Sequence, residues 1–189
     1  MKVQSLLFYV FRFSALGITA AVVLLTSSIG SPLYADPLGE ALRAGTVGGQ
    51  FRLRYEDVDQ DRAPSEAQAL TLRTRITYTS GAISNFSALL EMEDVRIVGG
   101  VNDYSLGAVG FHPGEHASIA DPGTTELDQA FLQYKRDGLE LRGGRQAILL
   151  NDHRFVGDVG WRQDRQTFDA MSALYSPSET LSLSYAHMT

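Results

Sequence analysis

The sequence predicts an all-β protein: a transmembrane antiparallel up-and-down β-barrel, of which this chain forms an incomplete N-terminal part with about seven strands. Three observations lead to this prediction. The chain starts with an export signal, its later segments alternate apolar and polar residues, and its connections are alternately long and short. Alternation places successive side chains on opposite faces of a strand, so each strand acquires one apolar and one polar face.

Residues 1–35 are predicted to be a signal peptide. Lys2 and Arg12 are the only charged residues there, the apolar run "ALGITAAVVLLTSSIG" (15–30) follows, and Ala35 is a small residue suited to cleavage. An uncleaved membrane anchor is the alternative. The run is shorter than the ~20 residues of a spanning helix and is diluted by Gly, Ser and Thr, which favours export.

The charge of the exported part argues against a nucleic-acid partner. The chain has 16 basic and 22 acidic residues, and removing Lys2 and Arg12 leaves 14 against 22, a net charge of −8. Nucleic-acid binding needs a basic surface. Because cysteine is absent, the exported protein cannot use disulfides or thiol catalysis.

Period-two segments recur through residues 36–189. In "ALTLRTRITYT" (69–79), Leu70, Leu72 and Ile76 share one face, whereas Arg73 and Arg75 share the other. Each segment is close to the ~9–11 residues with which a tilted strand crosses a bilayer. The seven predicted strands are 47–56, 69–79, 85–94, 127–135, 139–148, 166–175 and 180–188.

The connections alternate in length. The long ones are 57–68, 95–126 and 149–165, and the short ones are 80–84, 136–138 and 176–179. Outer-membrane barrels have short periplasmic turns and long outer loops, with the apolar face towards lipid and the polar face towards an aqueous lumen. The alternative is a soluble periplasmic β-sandwich that binds carbohydrate and buries its apolar face. Period two alone does not separate the two, but loop alternation, strand length and the signal peptide favour the barrel.

Charged residues of the first three strands are candidates for contact with solute in the lumen. A row of arginines focuses positive potential in a narrow tube and would guide anions if the carboxylates neutralise only part of it. The alternative is that these charges pair across strands and hold the barrel wall. The candidates are Arg52, Arg54, Arg73, Arg75, Glu91 and Glu93.

The segment "GWRQDRQTFDA" supplies two further candidates, Arg162 and Arg165. These arginines could line a constriction, held by Asp164 and Asp169, or they could merely anchor a loop. Trp161 would suit an interfacial aromatic belt.

Arg145 follows Gly143-Gly144 in the fifth strand. Strict alternation turns its side chain towards lipid, and a β-bulge at the two glycines would redirect it into the lumen.

No residue pattern indicates an enzyme. "HPGEH" (112–116) brings two histidines and a glutamate close together, but a Pro-Gly loop rarely supplies the fixed geometry that a metal needs, so we interpret it as a solvated loop. No Ser-His-Asp arrangement or GxSxG elbow occurs. An outer-membrane barrel enzyme therefore has little support, and we expect neither a metal nor a cofactor.

The segment "LDQAFLQYKRDGLELRGGRQAILLNDHRFVGDVGWRQDRQTFDA" (127–170) resembles the alginate-export family of outer-membrane porin-like barrels. "QAFLQYK", the "GRQ" after a short hairpin, "RFVG" and "GWRQDRQTFDA" carry the resemblance, and "LTLRTRITY" and "LLEMEDVRIVGG" fit the family's first hairpins. The resemblance extends over about residues 45–186.

The resemblance implies an outer-membrane channel in a Gram-negative bacterium, reached after signal-peptide export. It would pass acidic polysaccharide such as alginate, or small anionic solutes, and its other partner would be membrane lipid. Family barrels have more than twice as many strands, and bacterial barrels are even-stranded. We therefore interpret the chain as the N-terminal portion of a longer protein, which also fits the terminal "HMT", where such barrels usually end in an aromatic residue.

Overall fold

The chain forms one antiparallel sheet in which every strand pairs with its neighbours in sequence. The computed structural model describes residues 2–15, 36–106, 112–150 and 152–189. The elements are β1 (Lys2–Ala15), α1 (Pro37–Arg43), β2 (Thr46–Asp59), β3 (Ala67–Thr79), β4 (Phe86–Asp103), β5 (Thr124–Arg136), β6 (Leu139–Gln146), β7 (Phe168–Ser178) and β8 (Leu181–Met188). The open up-and-down order confirms the predicted fold class. No helix among the described residues is long and apolar enough to cross a membrane.

Strand β1 falls within the segment predicted as a signal peptide. Its backbone pairs with β2 from Lys2 opposite Asp59 to Ala15 opposite Val47. The rest of the apolar run and the cleavage point, residues 16–35, lie outside the described residues. Cleavage stays a prediction, and it would remove β1 and free that edge of β2.

Strands β2–β8 correspond to the seven predicted strands. The connections alternate clearly in length only after β4, because 60–66 and 80–85 have seven and six residues, whereas 12 and five were predicted. The connections predicted to be long span 60–66, 104–123 and 147–167 in the structure, and those predicted to be short span 80–85, 137–138 and 179–180. The largest difference is in β4, which was predicted to end at residue 94 but continues to Asp103. The added segment, "VRIVGGVND", pairs with β3 as far as Gln68 opposite Asp103, so Gly99 and Gly100 lie in a strand rather than a loop.

The two faces of the sheet have the opposite polarity to those of a soluble protein. We call the face that carries Arg54 and Glu93 the inward face, because these side chains are 3% and 0% exposed. The other, outward face carries Ile76 and Met92, which are 56% and 54% exposed. A sandwich would need a second sheet against this apolar face, and the described residues form one sheet only. The sandwich alternative therefore finds no support in the fold.

The bulge predicted at Gly143-Gly144 does not occur. Strand β6 pairs with β5 and β7 in unbroken register through both glycines. Arg145 thus stays on the outward face, where it lies opposite Asp169 and donates to both carboxylate oxygens at 2.9 Å. Neutralisation by this cross-strand partner, rather than a redirected backbone, is how the sheet accommodates the arginine.

The described parts of the long connection, residues 104–106 and 112–123, pack over one end of the sheet. Tyr104 and Ile119, both fully buried, join Val58, Ala67 and Ala69 in a small apolar cluster. The Tyr104 hydroxyl donates to the backbone oxygen of Asp121 at 2.8 Å, which satisfies its polar atom. This packing fixes the connection next to the charged inward face.

The first prediction concerns the N-terminus. We expect the exported protein to begin at Asp36, because a basic start, an apolar run and a small residue form a processing signal. Mass measurement of the protein purified from the outer membrane tests this. A mature chain that still begins at Met1 would show instead that β1 is a permanent strand.

The second prediction concerns whether the outward face contacts membrane lipid. Replacing Met92 by Arg in the full-length protein should lower its stability in lipid vesicles by about 2–4 kcal/mol, the cost of Arg near the bilayer midplane. The readout is urea unfolding, followed by the mobility of unheated samples on gels. Leu38→Arg is the matched control, because Leu38 is 62% exposed on α1, outside the sheet. Equal stability of both variants would contradict a lipid-facing surface.

Candidate functional site

Four arginines form a ladder on the inward face of β2 and β3. Arg52 lies directly opposite Arg73, Arg54 lies opposite Thr71, and Arg75 lies opposite Gln50. Arg52, Arg54 and Arg73 are buried, and Arg75 is nearly so. Period two places both arginines of each strand on one face, and the register of the hairpin then joins the two pairs. We call these four residues the arginine ladder.

Carboxylates of the next two strands pair with one end of the ladder. Glu93 lies opposite Arg75 in the β3–β4 register and accepts a hydrogen bond from Arg75 Nε. Asp128 of β5 also approaches this nitrogen, with its Oδ2 at 3.4 Å. Glu91 accepts from Gln129 Nε2 at 3.1 Å and from the Thr77 hydroxyl. Cross-strand ion pairs of the predicted kind therefore exist on this wall.

Residues 157–167, which we call the inner loop, fold back across the ladder. The loop closes on itself at Asp158, whose Oδ1 accepts from the Gly160 N–H at 2.8 Å and whose backbone oxygen accepts from the Gln166 N–H at 2.7 Å. A Cβ atom at Gly160 would lie 2.9 Å from Asp158 Oδ1, so glycine permits this close turn. The turn directs residues 162–165 towards the sheet.

Gln163 clamps the inner loop to the sheet. Its Nε2 donates to the backbone oxygen of Thr71 at 3.0 Å, to the Thr71 hydroxyl at 2.9 Å and to the backbone oxygen of Arg52 at 3.2 Å. Its Oε1 accepts from Arg52 Nε at 2.8 Å, and its side chain is fully buried. An amide that both donates and accepts in this way replaces water along two strands.

Backbone oxygens of the inner loop also cap the ladder. Arg52 Nη1 donates to the Gly160 oxygen at 3.0 Å. Arg73 Nη1 donates to the oxygens of Arg162 and Gln163, both at 3.3 Å. The arginines are thus held by uncharged acceptors as well as by carboxylates.

The two arginines of the inner loop bind carboxylates of the strands. Arg162 Nη1 lies 3.1 Å from Glu56 Oε2 of β2. Arg165 Nε donates to Asp128 Oδ2 at 2.8 Å, and its Nη2 contacts Glu91. Burial lowers the pKa of Arg165, but the hydrogen bond and the charge of Asp128 outweigh it, so the pKa lies above its ordinary value.

The connection 104–123 supplies one more carboxylate, Asp121. Arg54 Nη1 donates to its Oδ2 at 2.7 Å, and the backbone N–H of Gln163 donates to its Oδ1 at 3.0 Å. Arg54 also pairs with Glu56. Asp121 is 1% exposed, so it joins the ladder, the inner loop and the connection 104–123 in one closed network.

Several predicted contacts differ. Arg162 and Arg165 are held by strand carboxylates, not by Asp164 and Asp169, and Asp169 pairs with Arg145 on the other face. The ring of Trp161 lies 4.2 Å from the guanidinium of Arg162, on the inner loop rather than in the predicted aromatic belt.

The net charge of the network also differs from the expected positive wall. Six guanidinium groups of the described residues face eight carboxylates, so two negative charges are in excess. The arginines are the ladder, Arg162 and Arg165, and the carboxylates are Glu56, Glu91, Glu93, Asp121, Glu126, Asp128, Asp158 and Asp164.

The structure thus brings eight of the nine candidate residues together, and it leaves Arg145 outside. Sequence reasoning missed Gln163, Asp121 and Asp128. Asp128 falls in the predicted strand 127–135, where strict alternation would place it on the outward face with Ala130. It lies instead at a register shift between β4 and β5 and is buried on the inward face, which alternation could not predict. Gln163 and Asp121 lie in connections without periodicity, so no signal in the sequence pointed to them.

The "HPGEH" segment lies away from this network. His112 Nδ1 is 3.2 Å from Glu115 Oε2, and His116 Nδ1 is 3.0 Å from the backbone oxygen of Glu66. Both contacts are exposed.

The third prediction tests the clamp. Gln163→Ala in the full-length protein should loosen the inner loop, because it leaves buried partners on Thr71 and Arg52 unsatisfied at about 1–3 kcal/mol each. Trypsin should then cleave faster after Arg162 and Arg165. Gln166→Ala is the matched control, since Gln166 is an exposed glutamine of the same loop. Equal cleavage rates in the two variants would refute the clamp.

Comparison with known proteins identifies a family. The family model described as "Alginate export" matches residues 44–181. No curated protein and no solved structure matches the chain. The matched region contains strands β2–β7 and reaches the first residue of β8, and it includes the ladder and the inner loop. The chain therefore belongs to the alginate export family, a family of outer-membrane export channels.

Proposed function

We propose that this protein is a channel of the outer membrane of a Gram-negative bacterium that carries acidic polysaccharide, or smaller anionic solutes, along the arginine ladder. Family membership supports an export channel. The exposed apolar residues of the outward face support contact with membrane lipid, because lipid covers such a face without a second sheet. The acidic net charge of −6 gives no support for a nucleic-acid partner.

The observation that carries the proposal is a set of free donors on the ladder. Each of its four arginines has one buried guanidinium nitrogen without a hydrogen-bond partner among the described residues. These atoms are Arg52 Nη2, Arg54 Nε, Arg73 Nε and Arg75 Nη2. A buried donor that lacks an acceptor is costly, so the ladder favours an incoming oxygen anion. Guanidinium groups suit carboxylates in particular, because two parallel donors match two oxygens.

Exchange of carboxylates is the mechanism that this arrangement favours. When no solute is bound, arginines of the ladder are paired with Glu93, Asp121 and Glu56. A uronate residue carries the same functional group, so it can replace a protein carboxylate with little change in the local energy. The displaced side chain then rehydrates in the lumen. A polymer with a carboxylate on each sugar can repeat this exchange from one arginine to the next. Nothing in this process requires a nucleophile, a proton transfer or a cofactor.

The fourth prediction tests the ladder. In planar bilayers, oligouronate should interrupt the current through the full-length protein, whereas a neutral oligosaccharide of equal length should not. Arg73→Gln with Arg75→Gln should weaken the block by about tenfold or more, because hydrogen bonds to charged groups contribute ~1.5–3 kcal/mol each.

The matched control removes the same charge elsewhere. Arg96→Gln with Arg136→Gln changes two arginines whose side chains are 64% and 62% exposed, outside the network. We expect its block by oligouronate to equal that of the parent. Equal block by the acidic and the neutral sugar, or equal loss in both double variants, would contradict recognition by the ladder.

A further inference from the structure

Three carboxylates converge where the inner loop meets β4 and β5. One oxygen from each of Glu93, Glu126 and Asp164 can be chosen so that all three atoms lie within 4.8 Å of one another. Glu93 is fully buried, and the other two are partly buried. Glu126 and Asp164 form a hydrogen bond between their carboxyl groups, which requires one shared proton unless a cation takes its place. Three ionised carboxylates this close repel one another strongly, and burial removes the water that would screen them.

A second observation points to a ligand at this cluster. Glu93 Oε2 is occupied by Arg75, but Glu93 Oε1 is buried and has no hydrogen-bond partner. An ionised oxygen in that position needs either a donor or a cation. The described residues supply no donor to it, although the same carboxylate belongs to the convergent cluster.

The charge of the surrounding network is compatible with a divalent cation. Its eight carboxylates exceed its six guanidinium groups by two, with His153 near Asp158 counted as neutral. One divalent cation would balance this excess, and so would two protons, one shared within each of the carboxyl pairs Glu126–Asp164 and Glu91–Asp128. A cation that binds Glu126 and Asp164 would therefore displace a shared proton.

We propose that Glu93, Glu126 and Asp164 bind one calcium ion. Ca²⁺ takes oxygen ligands at about 2.3–2.6 Å, so oxygens on opposite sides of it lie up to ~5 Å apart, which suits the spacing of this cluster. Because Arg75 occupies Glu93 Oε2, the three carboxylates supply three to five ligands, and water completes the six to eight that Ca²⁺ requires. Calcium also tolerates the irregular geometry of two strands and a loop better than Mg²⁺ does.

Bound calcium would join the inner loop to the wall. Glu93 belongs to β4, Glu126 to β5 and Asp164 to the inner loop, so one ion connects all three segments. Asp164 is partly buried, so the inner loop places a carboxylate with reduced hydration at this point. Calcium would compensate its charge and hold the loop over the ladder.

The fifth prediction tests this site by calorimetric titration of CaCl₂ into the full-length protein, refolded in detergent without lipopolysaccharide. We expect saturable binding at one site. Asp164→Asn and Glu126→Gln, each made singly, should weaken it by about tenfold or more, as expected for the loss of a ligand. Glu115→Gln is the control, because Glu115 is an exposed carboxylate of another loop with a side chain 63% exposed.

Thermal unfolding gives an independent readout. Calcium should raise the Tm of the parent but not that of the Asp164→Asn variant. In EDTA, that variant should be at least as stable as the parent, because one source of repulsion is gone.

Absence of calcium binding to the parent would overturn the inference, and so would binding that both variants leave intact or that Glu115→Gln weakens equally. Since oligouronate block is measured separately, failure of the calcium site and failure of the proposed transport function are distinguishable.

Discussion

The pairing of buried guanidinium groups with oxygen acceptors is the constraint on which the inward face depends. Two strands bring four arginines together, and each must recover in the protein the hydration that it loses under the loops. The acceptors come from β4, β5, the inner loop and the connection 104–123. Loop placement is therefore a consequence of the ladder's charge.

The strands and their two faces were predictable because a period of two needs only local sequence. Leu72 and Arg73 had to lie on opposite faces whatever the rest of the chain did. The inner loop was not predictable, because Gln163 reaches Arg52 across 111 residues and no periodicity marks either end of the contact. The lumen position predicted for Arg145 was wrong for a related reason. A lone arginine on the lipid face would be costly, but the β6–β7 register places Asp169 opposite it, and local sequence does not show that pairing.

Gln163 illustrates how a neutral side chain can organise a charged site. It occupies the centre of the network, yet it adds no charge and bonds both to a guanidinium and to backbone oxygens of two strands. A carboxylate there would have increased the negative excess, and an arginine would have met the ladder with like charge. The amide satisfies donors and acceptors at once. The loop can thus remain docked while the ladder keeps a free donor on each arginine.

Exchange of carboxylates works best when the resting network is close to neutral. An excess of two negative charges would repel an incoming polyanion and oppose the first exchange, even though each arginine favours it. A calcium ion at Glu93, Glu126 and Asp164 would remove that excess at one end of the ladder without occupying a guanidinium. The cation site and the anion path are then complementary parts of one wall. Calcium fixes the loop and cancels the surplus charge, and the arginines remain available to the passing solute.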